Sequence, residues 1–402
     1  TSVGFAAHAT VYRATALGTY STASNDSTIA IGYQTNATAI SAIAIGKLAI
    51  ASAQTNVAIG AGSQCSTTGV SGVGGSVAIG DGAKSKGGGV SGGNNIAIGK
   101  DAHNYGAVSG FGGSICIGVR SYISPSAHYA VAIGPGYPGV GARCTTTNTI
   151  AIGRSALCSG GFGTALGYGA TASNTSTVAI GQSSVADASY GIAIGSLASA
   201  RGNHNISIGR DCGGDAAVGA YNISIGLAAL TAMNNASAGR NVALGASAGQ
   251  AVTTGCCNTM LGTSATVGST SNLNIAIGDS AVASATSLAT AIGVNAQATG
   301  IKSIAIGSGP ITSSAANATD DRAIAIGYDS LSSSTVTIAV GPASNATAFG
   351  SMAIGWATIA SGGGRNIAFG YTATSSGDRA ISIGTAASTI ASHAIAIGTS
   401  TY

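Results

Sequence analysis

The chain has 402 residues, 64 of them Gly, and only 6% are charged, against roughly 25% in an average soluble protein. All 11 acids are Asp, and the net charge of +4 is spread thinly with no Lys/Arg cluster, so the electrostatic footprint of a nucleic-acid binder is missing. Apolar runs such as Ile43-Ala44-Ile45 are too short to cross a bilayer, and the small side chains that dominate suit a narrow core, not a wide globular one.

One motif recurs in chain order from Gly18 to Gly398: a polar residue, then Ile or Val, Ala, Ile or Leu, and Gly. It gives about 25 rungs. The first block, Gly18, Gly32, Gly46 and Gly60, has the shortest interval, 14 residues. Ile-Ala-Ile alternates with period 2, which predicts a strand, and the Gly permits a sharp turn. A second alternating stretch follows, such as Ala37-Thr38-Ala39 after Gly32. Two short strands and two turns fill 14 residues, and identical rungs stack so that each strand pairs with its copies above and below. The expected fold is all-β: a single continuous parallel β-roll or β-solenoid over residues 1–402. The Ile side chains are expected inside the coil. The intervening Ala is expected to point outward, as a column on which another copy packs closely.

Further along, the interval lengthens to 16–20 residues between Gly60 and Gly153 and to 15–19 between Gly209 and Gly293, and one 20-residue interval precedes Gly327. A fixed minimum with variable excess means one rung plus insertions, here at 61–152, 210–292 and 308–326. Insertions of a solenoid often emerge on the binding side. The first cluster carries Tyr105, Phe111, Tyr122, Tyr129 and Tyr137 with His103, His128, Arg120 and Arg143, and such rings with Arg suit sugars or a protein receptor. The residue after the motif Gly is Tyr328, Trp356 and Tyr371 in three late rungs, a possible stacking platform. Four residues before the Gly stands Asn in several rungs, including Asn56, Asn95, Asn205, Asn222, Asn241, Asn258, Asn274 and Asn366, which fits a hydrogen-bonded polar ladder. Cys144 and Cys158 each lie nine residues before a motif Gly, so stacking brings them about 4.8 Å apart, within disulfide range.

The stretches Ser27-Thr28-Ile29-Ala30-Ile31-Gly32, Ala165-Leu166-Gly167-Tyr168-Gly169-Ala170 and Ser303-Ile304-Ala305-Ile306-Gly307 resemble the YadA-like head repeats of trimeric autotransporter adhesins. Similar repeats occur in some phage tail fibres. The resemblance implies a left-handed coil, a side-by-side homotrimer and an adhesive surface. No heptad stalk and no run of amphipathic ten-residue strands is visible in the sequence. The chain opens on Thr1, which reads as a portion of a longer or processed product.

Nothing points to catalysis, to a cofactor or to a metal: the five His share no ligand spacing with Cys or Asp. The expected function is therefore a non-enzymatic extracellular surface fibre or adhesin head that attaches to a host cell, matrix or other surface receptor. A receptor-binding phage tail fibre and a self-assembling structural filament are the alternatives, with an ice-binding solenoid behind them. The expected partners are copies of itself and a surface protein or glycan, with no nucleic acid and no insertion of this segment into a membrane.

Overall fold

The computed structural model describes residues 1–67, 75–87, 94–106, 113–136, 139–214, 219–310 and 314–402. It falls into two compact units, Thr1–Leu197 and Ala198–Tyr402. Both are parallel β-solenoids, with no α-helix among the described residues.

One rung shows how the sequence builds the coil. The motif strand Ile43–Ile45 runs into a four-residue turn that Ala49 N–H closes on the Gly46 carbonyl at 3.1 Å. The return strand Ile50–Ala51 follows, and a second turn is closed by Asn56 N–H on the Ala53 carbonyl at 3.2 Å. Val57–Ile59 then lies parallel to Ile43–Ile45, with Ile43 opposite Val57. Each turn holds a non-glycine residue in the left-handed region, Leu48 at φ 60° and Thr55 at φ 58°. That conformation costs roughly 1 kcal/mol for an L residue. Inter-rung bonds offset it: Leu48 N–H donates to Tyr33 O at 2.9 Å and Thr55 N–H to Ile40 O at 3.0 Å. The motif Gly is required for a second reason. Gly46 has φ 123°, and a Cβ there would sit 2.6 Å from the carbonyl oxygen of Gly60 one rung on.

In the first unit the motif strands run from Ser2–Val3 to Ile192–Ile194, each parallel to the next. Ser2–Val3 and Gly4 form a rung that the motif misses, because its strand lacks the large-small alternation; Gly4 has φ 130° and stacks on Gly18. In the second unit the motif strands run from Ile206–Ile208 to Ile395–Ile397, and a nine-stranded return sheet runs from Thr266–Val267 to Ser388–Thr389.

The structure reverses the expected facing of the motif strand. Ala30, Ala44 and Ala58 are wholly buried, whereas Ile31 and its flanking equivalents are exposed or half-buried. The Ala column fills the core and the Ile columns form the outer face. The reason is width. Four-residue turns bring the motif and return strands so close that only small side chains fit between them, and Ala42, Ala44, Ala49 and Ala51 fill that space in one rung. An Ile there would overpack.

Long rungs are built differently. In several 14-residue rungs the backbone N–H four before the motif Gly bonds the carbonyl three residues earlier, as Asn205 N–H does to Gly202 O at 3.2 Å. In the two clusters of successive insertions that bond is missing along a run of rungs and a side chain of the preceding rung replaces it, whereas the 20-residue rung before Gly327 keeps it, with Ala323 N–H on Asp320 O at 3.2 Å. Asn205 Oδ1 accepts from Asn222 N–H at 2.8 Å, Asn222 from Asn241 at 2.9 Å, Asn241 from Asn258 at 3.1 Å and Asn258 from Asn274 at 3.0 Å. Asn274 passes the bond to Ala289 N–H at 2.8 Å. The next short rung restores the turn, with Ser303 N–H on Gly300 O at 3.2 Å. The first insertion cluster repeats the device through Asn56, Ser76, Asn95, Ser114 and Ala130. The expected polar ladder therefore exists, as two runs within the insertion clusters and one further bond across a 14-residue interval, from Ala380 N–H to Asn366 Oδ1 at 3.2 Å.

Candidate binding face on the return strands

Four return strands of the first unit, Lys84–Gly87, His103–Asn104, Tyr122–Ile123 and Arg143–Cys144, pair in parallel register. Alternation sends Ser85, Asn104, Ile123 and Cys144 into the core, all fully buried. Lys84, His103, Tyr122 and Arg143 consequently form one outward column on successive rungs. Lys86 and Tyr105 stand beside it, two residues along the same strands.

The side chains of this strip touch. The rings of His103 and Tyr105 lie 5.5 Å apart and those of Tyr105 and Tyr122 5.9 Å apart, both edge to face. The Arg143 guanidinium lies 5.7 Å from the centre of the Tyr122 ring, a cation–π contact. Burial lowers the His103 pKa, and the Lys84 charge lowers it further, against an opposing pull from Asp101. Its imidazole is therefore neutral at pH 7. Burial, then Tyr122, raises the Tyr105 pKa. Among the described residues no acid pairs with Lys84, Lys86 or Arg143.

Of the residues expected to bind, the structure thus brings together Tyr105, Tyr122 and Arg143. Arg120 and Tyr129 sit apart from the strip, each on a turn in the left-handed region, at φ 55° and φ 52°. Tyr137 and Phe111 lie outside the described residues. In the second unit Trp356 and Tyr371 meet edge to face at 4.9 Å. Tyr328 does not join them, because Pro342 occupies the intervening rung; it lines an open cavity of about 410 Å3 with Val294, Ser308, Gly309 and Pro310. Lys84 and Lys86 were missed as site residues, although Lys84, His103 and Tyr122 each stand four residues after a motif Gly.

Cys144 and Cys158 are register partners on adjacent rungs, both facing the core, and both are free thiols. Cys144 donates to Val131 O at 3.2 Å. Burial pushes the Cys158 thiol up to about 12, and the Cys65 and Cys116 thiols likewise. No cluster of three or more His, Cys, Asp or Glu able to hold a metal occurs among the described residues, and no helix long and apolar enough to span a membrane occurs among them.

Comparison with known families finds the YadA head domain repeat at residues 12–35, 23–49, 147–170, 159–184, 172–198, 288–309, 314–330, 337–358, 367–387 and 375–401. No curated protein matches the chain. The matched stretches are mostly rungs of minimal or near-minimal length, and they skip residues 50–146 and 199–287, where the long rungs and both long polar ladders lie. Fold, period and matches agree: this chain is a parallel β-solenoid that carries YadA head domain repeats at the matched stretches.

Proposed function

We propose that the chain is a non-enzymatic segment of an extracellular surface fibre that assembles side by side with copies of itself and attaches to a receptor through its return-strand face. The supporting observation is the division of labour between the two outer faces. The motif strands expose paired columns of Ile and Val, such as Ile43 and Ile45 above Val57 and Ile59, all only partly buried. A continuous apolar face of this kind marks a protein interface. The YadA-type repeat makes a homotrimer the favoured assembly, with the Ile columns and not the Ala column as the contact. The return strands carry the polar, aromatic and cationic strip, which suits a receptor.

Light scattering on the whole chain tests the assembly: a trimer mass at high dilution is expected, and a monomer mass would overturn it. Replacing Ile31, Ile45 and Ile59 together by Asp is expected to release monomers whose far-ultraviolet spectrum is unchanged, because these side chains lie outside the core. Binding of the wild-type chain to whole cells or matrix-coated surfaces tests attachment.

A further inference from the structure

We infer that the strip of Lys84, Lys86, His103, Tyr105, Tyr122 and Arg143 is a binding site for a sulfated or otherwise polyanionic linear polysaccharide. The inference rests on the attachment reading and names its ligand. Its first ground is charge. The net charge of the chain is only +4, yet three unpaired cations gather on one face of four successive rungs. From Lys84 to Arg143 is three rung spacings, about 14 Å at 4.8 Å each. An extended polyanion laid along the coil axis meets these cations in succession.

The aromatic geometry selects the kind of polyanion. A nucleic-acid platform needs open ring faces on which bases stack. Here Tyr105 and Tyr122 are locked edge to face, and Arg143 covers one face of Tyr122. That contact holds the guanidinium in place, and a fork so oriented suits bidentate recognition of a sulfate or carboxylate. The half-buried Tyr rings offer hydroxyls and apolar edges, which suit the hydroxyls and C–H groups of a sugar. His103 adds a third property. Held neutral at pH 7 by burial and by Lys84, it gains a proton when an anion settles over it, so binding strengthens as the pH falls.

The test measures binding of the full chain to immobilised heparin oligosaccharides, uncharged dextran and a single-stranded oligonucleotide. Saturable heparin binding that weakens with salt is expected, with no dextran binding and weaker oligonucleotide binding. The K84Q/K86Q variant should lose at least tenfold in affinity, with a shallower salt dependence because fewer counterions are displaced. Arg143→Lys should also weaken binding, and His103→Gln should remove the gain between pH 7 and pH 5. Spectra and oligomer mass confirm that the variants fold. Absence of heparin binding at low salt, unchanged affinity in K84Q/K86Q, or tighter binding to the oligonucleotide would overturn the inference. If a K84Q/K86Q/R143Q variant loses heparin binding but still adheres to cells, the strip takes the polyanion and the receptor contact lies elsewhere; if the wild-type chain adheres to no surface, the attachment reading fails independently of the ligand.

Discussion

The short rungs between Gly18 and Gly60 and the long rungs between Gly209 and Gly293 solve the same stacking problem with different materials. Short rungs close both turns within the rung, by backbone bonds or by a Thr hydroxyl as at Thr28 and Thr35, and fill the core with Ala. Long rungs give up one turn, substitute Asn side chains for it, and open room for bulkier groups: Leu230, Met233, Val252 and Met260 are all buried there. Met260 occupies the place of Ala243 and Ala276 in the rungs on either side. A Cβ at Gly249 would meet Leu230 Cδ2 at 2.7 Å and Met260 Cε at 3.1 Å, so the two large side chains converge over a glycine. The comparison teaches that the inter-strand ladder, which both regions share, sets the register, while turn chemistry sets the width of the core.

The largest expected effect breaks the width rule. Ala44→Met places in a short rung the side chain that a long rung accepts at 260. Overpacking should cost about 3 kcal/mol or more, read as a shift of the denaturation midpoint. The reciprocal change, Met260→Ala, should cost a similar amount by leaving a cavity, about 2–5 kcal/mol. Equal tolerance of Met at both positions would show that the two cores do not differ in width.

The ladder comes next. Asn241→Ala leaves the Asn258 N–H and the Gly255 carbonyl without partners in the core and should cost about 2–4 kcal/mol. The short-rung counterpart, Thr28→Val, removes one hydroxyl bond to the Asn25 carbonyl and should cost about 1 kcal/mol. Chemical denaturation of both variants measures the difference, and a smaller loss for Asn241 would refute the substitution of side chain for turn.

Much of this is legible in the sequence. The 14-residue period locates the strands, and the minimum interval identifies which rungs carry insertions. The Asn at 205, 222, 241, 258 and 274 could be recognised as a ladder from position alone. The facing of Ile and Ala was misread because alternation defines two faces without saying which is inside. Bulk usually decides in favour of Ile, but at 43 and 45 strand separation decides against it. The return-strand strip was half visible. Tyr122 and Arg143 drew notice as aromatic and Arg in an insertion cluster. Lys84 emerges only when residues four after the motif Gly are aligned across unequal intervals, which also puts His103 in its column.

Cysteine chemistry sharpens the comparison further. Burial pushes Cys65, Cys116 and Cys158 to about 12, Cys212 to about 11, and raises Cys144. A thiol reagent at pH 8 should therefore modify the native chain only at the partly exposed Cys256 and Cys257, with all seven reacting after unfolding. Early labelling of Cys65 or Cys116 would mean that the Ala-lined core opens locally. Oxidised glutathione applied during refolding should link Cys144 to Cys158, closing a loop whose cross-link adds at most roughly 3 kcal/mol. Recovery of both as alkylated thiols in unreduced peptide maps would remove that bond.

The asparagine ladder has a consequence for how such chains diversify. Because Asn205 and its successors carry the bond that a tight turn would otherwise make, the peptide between one rung and the next is released from any fixed length. Foreign segments spliced in at these points should leave the frame of every later rung intact. The long rungs are in effect sockets for interchangeable exposed peptides, and one Asn placed a rung ahead is the signature by which a new socket would be engineered into the shorter part of the coil.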